Sequence, residues 1–437
     1  MDVYKTAVSI LSKLKDNGFE TYFVGGFVRD KLLGNNSCKD IDIVTSATPN
    51  EIIDIFPHTY KIGIAFGIVN VIENGLPFEV ATFREEDNYK DGRHPEQIKY
   101  TKCPQLDALR RDFTINAIYY DPINDKIYDY TEGLNDIKRG ILRTIGIPEQ
   151  RFKEDYLRIL RAIRFSNRFG FKLDSKITET IPALAPNLRY LSWERIRDEI
   201  NKILIGNNPD KAFLSMYKLG ILDIILPEIS AMLGVQQPKE YHPEGDVFTH
   251  TMLMLKNMTW KSLELAWAIL LHDVAKPPTF AFNEKGKECF YCHDAVGEKI
   301  SIKIMERFKH PNKLVERVSF AVKNHMRFAN VVEMKKAKCE RLIAADTFPL
   351  ELELHRLDCI SSNGFNKSYL YILDTVIAKK GIRELPYPLL SGKELIELGL
   401  KPGKNFGLIL NELQEKQLEG ILKEKQDAID WVKRSFK

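Results

Sequence analysis

Two aspartates set one residue apart, Asp40 and Asp42, are the first chemistry this chain offers. In a strand, residues i and i+2 point to the same face. Two carboxylates held so repel each other unless cations lie between them, and a pair of Mg²⁺ ions caged this way activates a hydroxyl nucleophile and stabilises a pyrophosphate leaving group. A turn cap and a solvated carboxylate are the alternative reading of the same pair. Upstream, Gly25-Gly26-Phe27-Val28-Arg29-Asp30 stands between a strand-like TYFV and a helical stretch. A glycine pair there lets backbone N–H groups approach a phosphate at a helix N-terminus, although most such pairs are plain turns. A second centre lies far downstream. Six of the nine histidines fall between positions 242 and 325, and His272-Asp273 closes the apolar run Leu265–Leu271. Imidazole and carboxylate together suit a divalent cation.

The elements that must position these groups can be read from periodicity. Up to about residue 140, helical and strand patterns alternate: KDIDIVTS, GIVNVIE, LPFEVATFR and KIYDYT read as strands, and TPNEIIDIF as a helix capped by Thr48 ahead of Pro49. Beyond about 148 the strand signals stop, and KEDYLRILRAIRFSNRFGF reads as one long helix. This predicts an α+β chain: a mixed head over 1–145, then helical segments over 146–235, 236–370 and 371–437. A net charge of +4 over 437 residues neither demands nor excludes a polyanionic partner. The N-terminus reads as an amphipathic helix rather than a leader, and no run approaches a membrane span, which predicts a cytoplasmic protein. Scattered cysteines suit free thiols, and Cys289-x-x-Cys292 lacks the second pair that a zinc site of this kind needs.

Taken together, Gly25-Gly26-x-x-Arg29-Asp30 and Lys39-Asp40-x-Asp42 resemble the motif of class II tRNA nucleotidyltransferases and bacterial poly(A) polymerases, members of the polymerase-β-like superfamily. The resemblance runs through residues 20–205. It implies a two-Mg²⁺ site at Asp40 and Asp42, with Glu79 on a neighbouring strand as the third carboxylate. Residues 85–103 look like the family's flexible loop, a device for coupling nucleotide choice to closure. Arg110-Arg111-Asp112 through Asn116 matches the next motif; Asp112 is expected at a ribose hydroxyl, with Arg111 and Asn116 lining the nucleotide site and arginines neutralising the triphosphate. Glu154-Asp155-Tyr156-Leu157-Arg158 resembles the motif that selects the incoming base. Asp155 and Arg158, three apart, are expected on one helix face. A carboxylate only accepts and a guanidinium only donates. Cytosine and adenine show an exocyclic amine beside a ring-nitrogen acceptor, and uracil and guanine show the reverse, so this pair suits C and A. The competing reading is a surface ion pair between Glu154 and Arg158. Arg161, Arg164 and Arg168 continue the stripe, either toward phosphates or as structural side chains over an apolar face.

The second centre resembles the HD phosphohydrolase superfamily: His250, His272-Asp273 and Asp358 fit its metal set, with His293 and His325 as additional ligands. The tail from Pro386 looks like that of HD-containing tRNA nucleotidyltransferases, a candidate tRNA contact. The resemblance implies addition of the 3′-terminal CCA to tRNA from CTP and ATP. A-only addition and poly(A) synthesis share the same head motifs. An HD phosphohydrolase with a degenerate head, and a non-catalytic tRNA binder, are readings of other classes, and the intact carboxylates oppose both.

Overall fold

The computed structural model describes residues 2–35, 40–60, 66–89, 95–238, 240, 242–364, 367–378, 385–403 and 405–436, so Lys39 and the tip of the expected loop at 90–94 lie outside the described residues. The chain forms two compact units, Met1–Pro227 and Glu228–Lys437.

The first unit opens with helix α1 (Val3–Asp16), strand β1 (Thr21–Val24) and helix α2 (Gly26–Leu32). Strand β2 (Asp42–Thr45), helix α3 (Pro49–Ile55), and strands β3 (Thr59–Tyr60), β4 (Ile68–Glu73) and β5 (Leu76–Thr82) follow. Later strands β8 (Ile118–Asp121) and β9 (Lys126–Asp129) complete a seven-stranded sheet of order β3-β4-β5-β2-β1-β8-β9. The β2–β5 pairing is parallel and the others are antiparallel. The period-two rule sorts the core. On β1, Phe23 packs with α1 through Ala7, Ile10 and Leu11, whereas Tyr22 and Val24 face the opposite cluster with Val44, Phe83 and Tyr119. Helix α3 starts as read: Thr48 and Glu51 close a capping box with Pro49 in the first turn.

Two readings need correction. Residues expected to form a flexible loop instead pair as strands β6 (Arg84–Tyr89) and β7 (Pro95–Tyr100), an antiparallel ribbon set apart from the main sheet. The long helix expected from 153 is broken: one helix, Pro148–Glu154, ends where Asp155 turns extended (φ −153°, ψ 105°), and a second spans Leu157–Phe169. The Asp155 carboxylate accepts from the Leu157 N–H at 3.0 Å, satisfying an orphan donor of the new helix; a short polar side chain competes with the backbone in this way.

In the second unit, helix Leu263–Leu271 is buried along every one of its last seven residues and delivers His272 and Asp273 at its end. Among the described residues the unit's regular structure is helical apart from a hairpin, Phe280–Phe282 with Glu288–Phe290, which periodicity did not reveal. Near the C-terminus, Leu390, Leu395, Ile409, Leu413, Leu422, Ala428 and Val432 form a small core of their own.

Candidate active site and candidate metal centre

The first site is built at the Gly25 turn. Gly25 has φ +74°, and a Cβ there would lie 2.9 Å from Asp42 Oδ2, so glycine is required both for the backbone and for the carboxylate beside it. Gly25→Ala is expected to cost about 1–2 kcal/mol from the positive φ alone and to displace Asp42. A lowered Tm together with lost nucleotide incorporation checks this; an active, equally stable variant would refute it.

Asp42 opens β2, and the ladder register of Ile43 with Val80 and Val44 with Ala81 puts Glu79 beside it on the same face. Asp40 precedes the ladder and is exposed; the alternation that sends Ile41 and Ile43 to the core leaves it on the Asp42 side. Burial, then the charges of Asp40 and Glu79, push the Asp42 carboxyl up to about 6, against the pull of Arg111 and Arg29.

Opposite the turn, side chains of the sheet and of helix Leu157–Phe169 line a cavity of ≈ 560 Å³ that includes Gly25, Gly26, Arg29, Asp42, Asp155 and Arg158. Arg111, Asp112, Asn116, Arg161, Arg164 and Arg168 line it as well, so every expected nucleotide residue reaches one space. Asp40 and Glu79 lie outside this lining. Their order is set by ion pairs. Arg29 donates to Asp30 (2.8 Å) and Asn116 (2.6 Å) and stacks over Phe169. Arg111 donates to the fully buried Asp107 at 3.0 Å. Asp112 accepts from Arg161 (2.9 and 2.6 Å), Asn116 (3.0 Å) and the Phe113 N–H (2.8 Å). Burial would raise that carboxyl, but Arg161 and Asn116 outweigh it and hold it at about 2. Arg164 donates to Glu199 at 2.6 Å and Arg168 to Asp30 at 2.8 Å.

Asp155 and Arg158 share the cavity but not a helix face, because the break intervenes. Asp155 accepts from Arg195 at 2.7 Å. Arg158, 9% exposed, pairs with Glu154 and donates to the Arg151 and Arg110 carbonyls at 3.1 and 3.4 Å. The Glu154 pair therefore exists, and it is largely buried, with Arg158 lining the cavity, rather than a solvated surface bridge. Asp107 and Arg195 were not anticipated. Asp107 lies four residues before Arg111, a spacing that could have signalled it; Arg195 carried no local signal.

In the second unit, four imidazoles turn their Nδ1 atoms outward. His272, His293 and His325 meet the carbonyls of Ile269, Phe290 and Val322 at 2.8, 2.9 and 2.6 Å, and His250 meets Glu244 at 2.6 Å. Such contacts fix the tautomer and free Nε2 for a cation. Inside, His272 Nε2 lies 3.1 Å from Asp273 Oδ2, and His293 and His325 lie 3.7 Å from Asp273 Oδ1. His250 Nε2 lies 3.2 Å from Asp358 Oδ1. His250 Nε2, His272 Nε2 and Asp273 Oδ1 are buried without a well-aligned hydrogen-bond partner, and His293 Nε2 lies 3.3 Å from His325 Nε2. Lone pairs facing one another around an unsatisfied centre are what a metal site requires. His250, His272 and Asp273 form one candidate cation group and Asp273, His293 and His325 another; His242 joins Glu244 and His250 in a third. Lys276 donates to Asp273 Oδ2 at 2.7 Å and to Gln237 at 2.5 Å. Cys289 and Cys292 enter none of these groups.

A glycine turn facing a strand aspartate, with an arginine-lined cavity closed by a helical segment, defines a nucleotidyltransferase-type head. Family models agree: a poly(A) polymerase head domain matches residues 21–143, a probable RNA- and SrmB-binding site of polymerase A matches 170–233, and an HD domain matches 247–348. The chain belongs to the family of CCA-adding enzymes. It is 31% identical over 440 residues to the CCA-adding enzyme of Ligilactobacillus salivarius, covering 99% of this chain and 97% of that one. It is 44% identical over 211 residues to the CCA-adding enzyme of Staphylococcus aureus, a match over 48% of this chain and 52% of the relative, about half the length of each. The structure of the Bacillus stearothermophilus CCA-adding enzyme in complex with CTP matches with a TM-score of 0.75 at 26% identity, over 99% of this chain and 98% of that one. Among the described residues no helix is long and apolar enough to cross a membrane.

Proposed function

We propose that the chain adds the 3′-terminal CCA to tRNA from CTP and ATP, without a nucleic-acid template, releasing pyrophosphate. The observation that carries this is the convergence of the Gly25–Asp42 turn, the Arg111–Asp112 motif and the Asp155–Arg158 pair on one cavity, in a chain whose full-length relative is a CCA-adding enzyme. Asp40, Asp42 and Glu79 fit magnesium: the burial and, after it, the neighbouring carboxylate charges that raise Asp42 are what a divalent cation offsets. Bound there, magnesium would supply the charge that favours attack by the 3′-hydroxyl and departure of pyrophosphate. The protein's own part is positioning. Arg29, Arg111 and Arg161, each anchored by acceptors, meet triphosphate charge. Asp112, whose four acceptor positions are filled by protein donors, fixes Arg161 and Asn116 and takes a ribose hydroxyl only by exchange. Asp155 and Arg158 read the base edge. The proposed division is a head to 145, a selecting and RNA-binding neck to 235, an HD region to 370, and a tail that meets tRNA. The test offers tRNA transcripts ending before CCA, after C and after CC, with each nucleoside triphosphate separately. C, C and A in turn is expected; extension only of the CC end by ATP would show A-only addition, and a lengthening A tract would show a poly(A) polymerase.

The second unit is proposed to hold a divalent cation at His250, His272, Asp273 and Asp358, with His293 and His325 on the far oxygen of Asp273, and to support metal-dependent phosphoester hydrolysis. The unsatisfied buried Nε2 and Oδ1 atoms favour this reading. Asp273→Asn is expected to lower bound metal, measured by plasma mass spectrometry, while nucleotide addition persists. Parallel loss of addition in a folded variant would show that the two centres are not separate.

A further inference from the structure

The hairpin absent from the sequence reading ends three residues before His293. Its aromatic side chains form a track. The Phe290 ring, which lines a cavity of ≈ 560 Å³ together with His272, Asp273, His293 and His325, lies 6.5 Å from the His293 ring and 5.7 Å from Phe280; Phe280 lies 5.2 Å from Phe282. Exposure rises outward along it, to 39% at Phe280 and 65% at Phe282. Phe280 and Phe282 lie beyond the cavity lining to which Phe290 belongs, and large aromatic faces left open to water are costly unless something covers them. Lys276 joins the two ends, since its ammonium lies 5.5 Å from the Phe290 ring centre while it bonds Asp273. One end of this feature therefore offers cationic and metal-binding groups, and the other, beyond Phe290 along the track, offers π faces. An apolar peptide would leave the cationic end unused, and a free phosphate would leave the rings uncovered.

We propose that the Phe280–Phe290 hairpin is a nucleobase-stacking subsite of this cavity, and that its ligand is a nucleotide whose phosphate meets the histidine–aspartate group and whose base lies against Phe280 and Phe282. The phosphate half rests on the metal reading above; the base half rests on the rings. Stacking on an aromatic side chain accepts any base, so the subsite is not selective among bases.

The experiment measures equilibrium binding of GMP and of ribose 5-phosphate to the full-length chain with and without Mn²⁺. GMP is chosen because the head's acceptor–donor pair has the wrong polarity for guanine. GMP is expected to bind about tenfold more tightly than ribose 5-phosphate, the scale of one base–aromatic stack. Phe280→Ala with Phe282→Ala should bring GMP to the affinity of ribose 5-phosphate and leave the latter unchanged. Phe282→Ala alone, at a solvent-exposed side chain, should give part of that loss without disturbing the fold. Equal affinities in the wild type, or GMP binding unchanged in the double variant, would overturn the subsite. Ribose 5-phosphate binding indifferent to Mn²⁺ would overturn the metal reading alone, and a GMP preference lost with the rings would still support the subsite.

Discussion

Asp42→Asn is expected to abolish nucleotide addition and, in the absence of divalent cations, to make the protein more stable. The activity loss should reach roughly 10³-fold or more, because metal charge at the reacting centre is worth several kcal/mol. The stability gain follows from the raised carboxyl. An unfolded aspartate titrates near 3.9, whereas Asp42 in the fold titrates at about 6. Between these values the folded chain holds the extra proton, so this contribution is fully present below about pH 4 and is lost as pH rises through 6. At neutral pH the wild type carries a penalty of up to roughly 3 kcal/mol that a neutral asparagine does not. Thermal unfolding in EDTA at pH 7.5 should therefore give the variant the higher Tm, with the gap closing toward pH 4. Added Mg²⁺ should raise the wild-type Tm and not the variant's. A variant that is less stable at neutral pH, or that retains activity, would show Asp42 to be a structural carboxylate.

Arg158→Ala should erode base choice. Its guanidinium is fixed by Glu154 and by the carbonyls of Arg151 and Arg110, so it presents a donor in one place at little further entropic cost. Against the ring N–H of uracil or guanine that donor has no acceptor, and a site built this way rejects the wrong analogue by up to roughly 10⁴–10⁵. Without it, the kcat/KM ratio of CTP to UTP on one tRNA end should fall by at least about tenfold, and the CTP rate should also fall as the correct base loses a contact. Glu154 keeps its ion pair with Arg151 at 3.0 Å, and circular dichroism of the variant is read alongside. A folded variant with an unchanged ratio would place base choice elsewhere.

Local chemistry made much of this legible. Gly25, Thr48 with Pro49, and the alternation around Ile41 and Ile43 each act over a few residues, and their consequences were predictable. Identity as a candidate site residue was legible for Asp42, Arg29 and Asp112, whose motifs are compact. What escaped depended on distance or on a local competition. Arg195 meets Asp155 across forty residues, and no periodicity encodes that pairing. The break at Asp155 escaped because a helical pattern with an aspartate inside it reads as continuous, although the same carboxylate can serve the next helix's first N–H groups instead. The ribbon of Arg84–Tyr89 with Pro95–Tyr100 escaped because its polar composition lacks the alternation that marks a strand packed on a core.

The ion pairs around the cavity also bear on how this protein can change over generations. Arg111, Arg158, Arg161, Arg164, Arg168 and Arg195 each hold a carboxylate: Asp107, Glu154, Asp112, Glu199, Asp30 and Asp155. Asp107, Glu154, Glu199 and Asp30 hold a second cation too, Arg110, Arg151, Lys202 and Arg29, which softens the loss of the first; a buried charge stranded outright costs about 3–5 kcal/mol, a large part of a typical domain's stability. Single substitutions at such positions are therefore downhill steps, steepest where no second ion pair remains, and a new arrangement is reached most readily when both members alter together. The C-terminal helices, resting on an apolar core of interchangeable aliphatic residues, face no such coupling. Lineages carrying this fold should accumulate differences freely there while the arginine ring is inherited as a block.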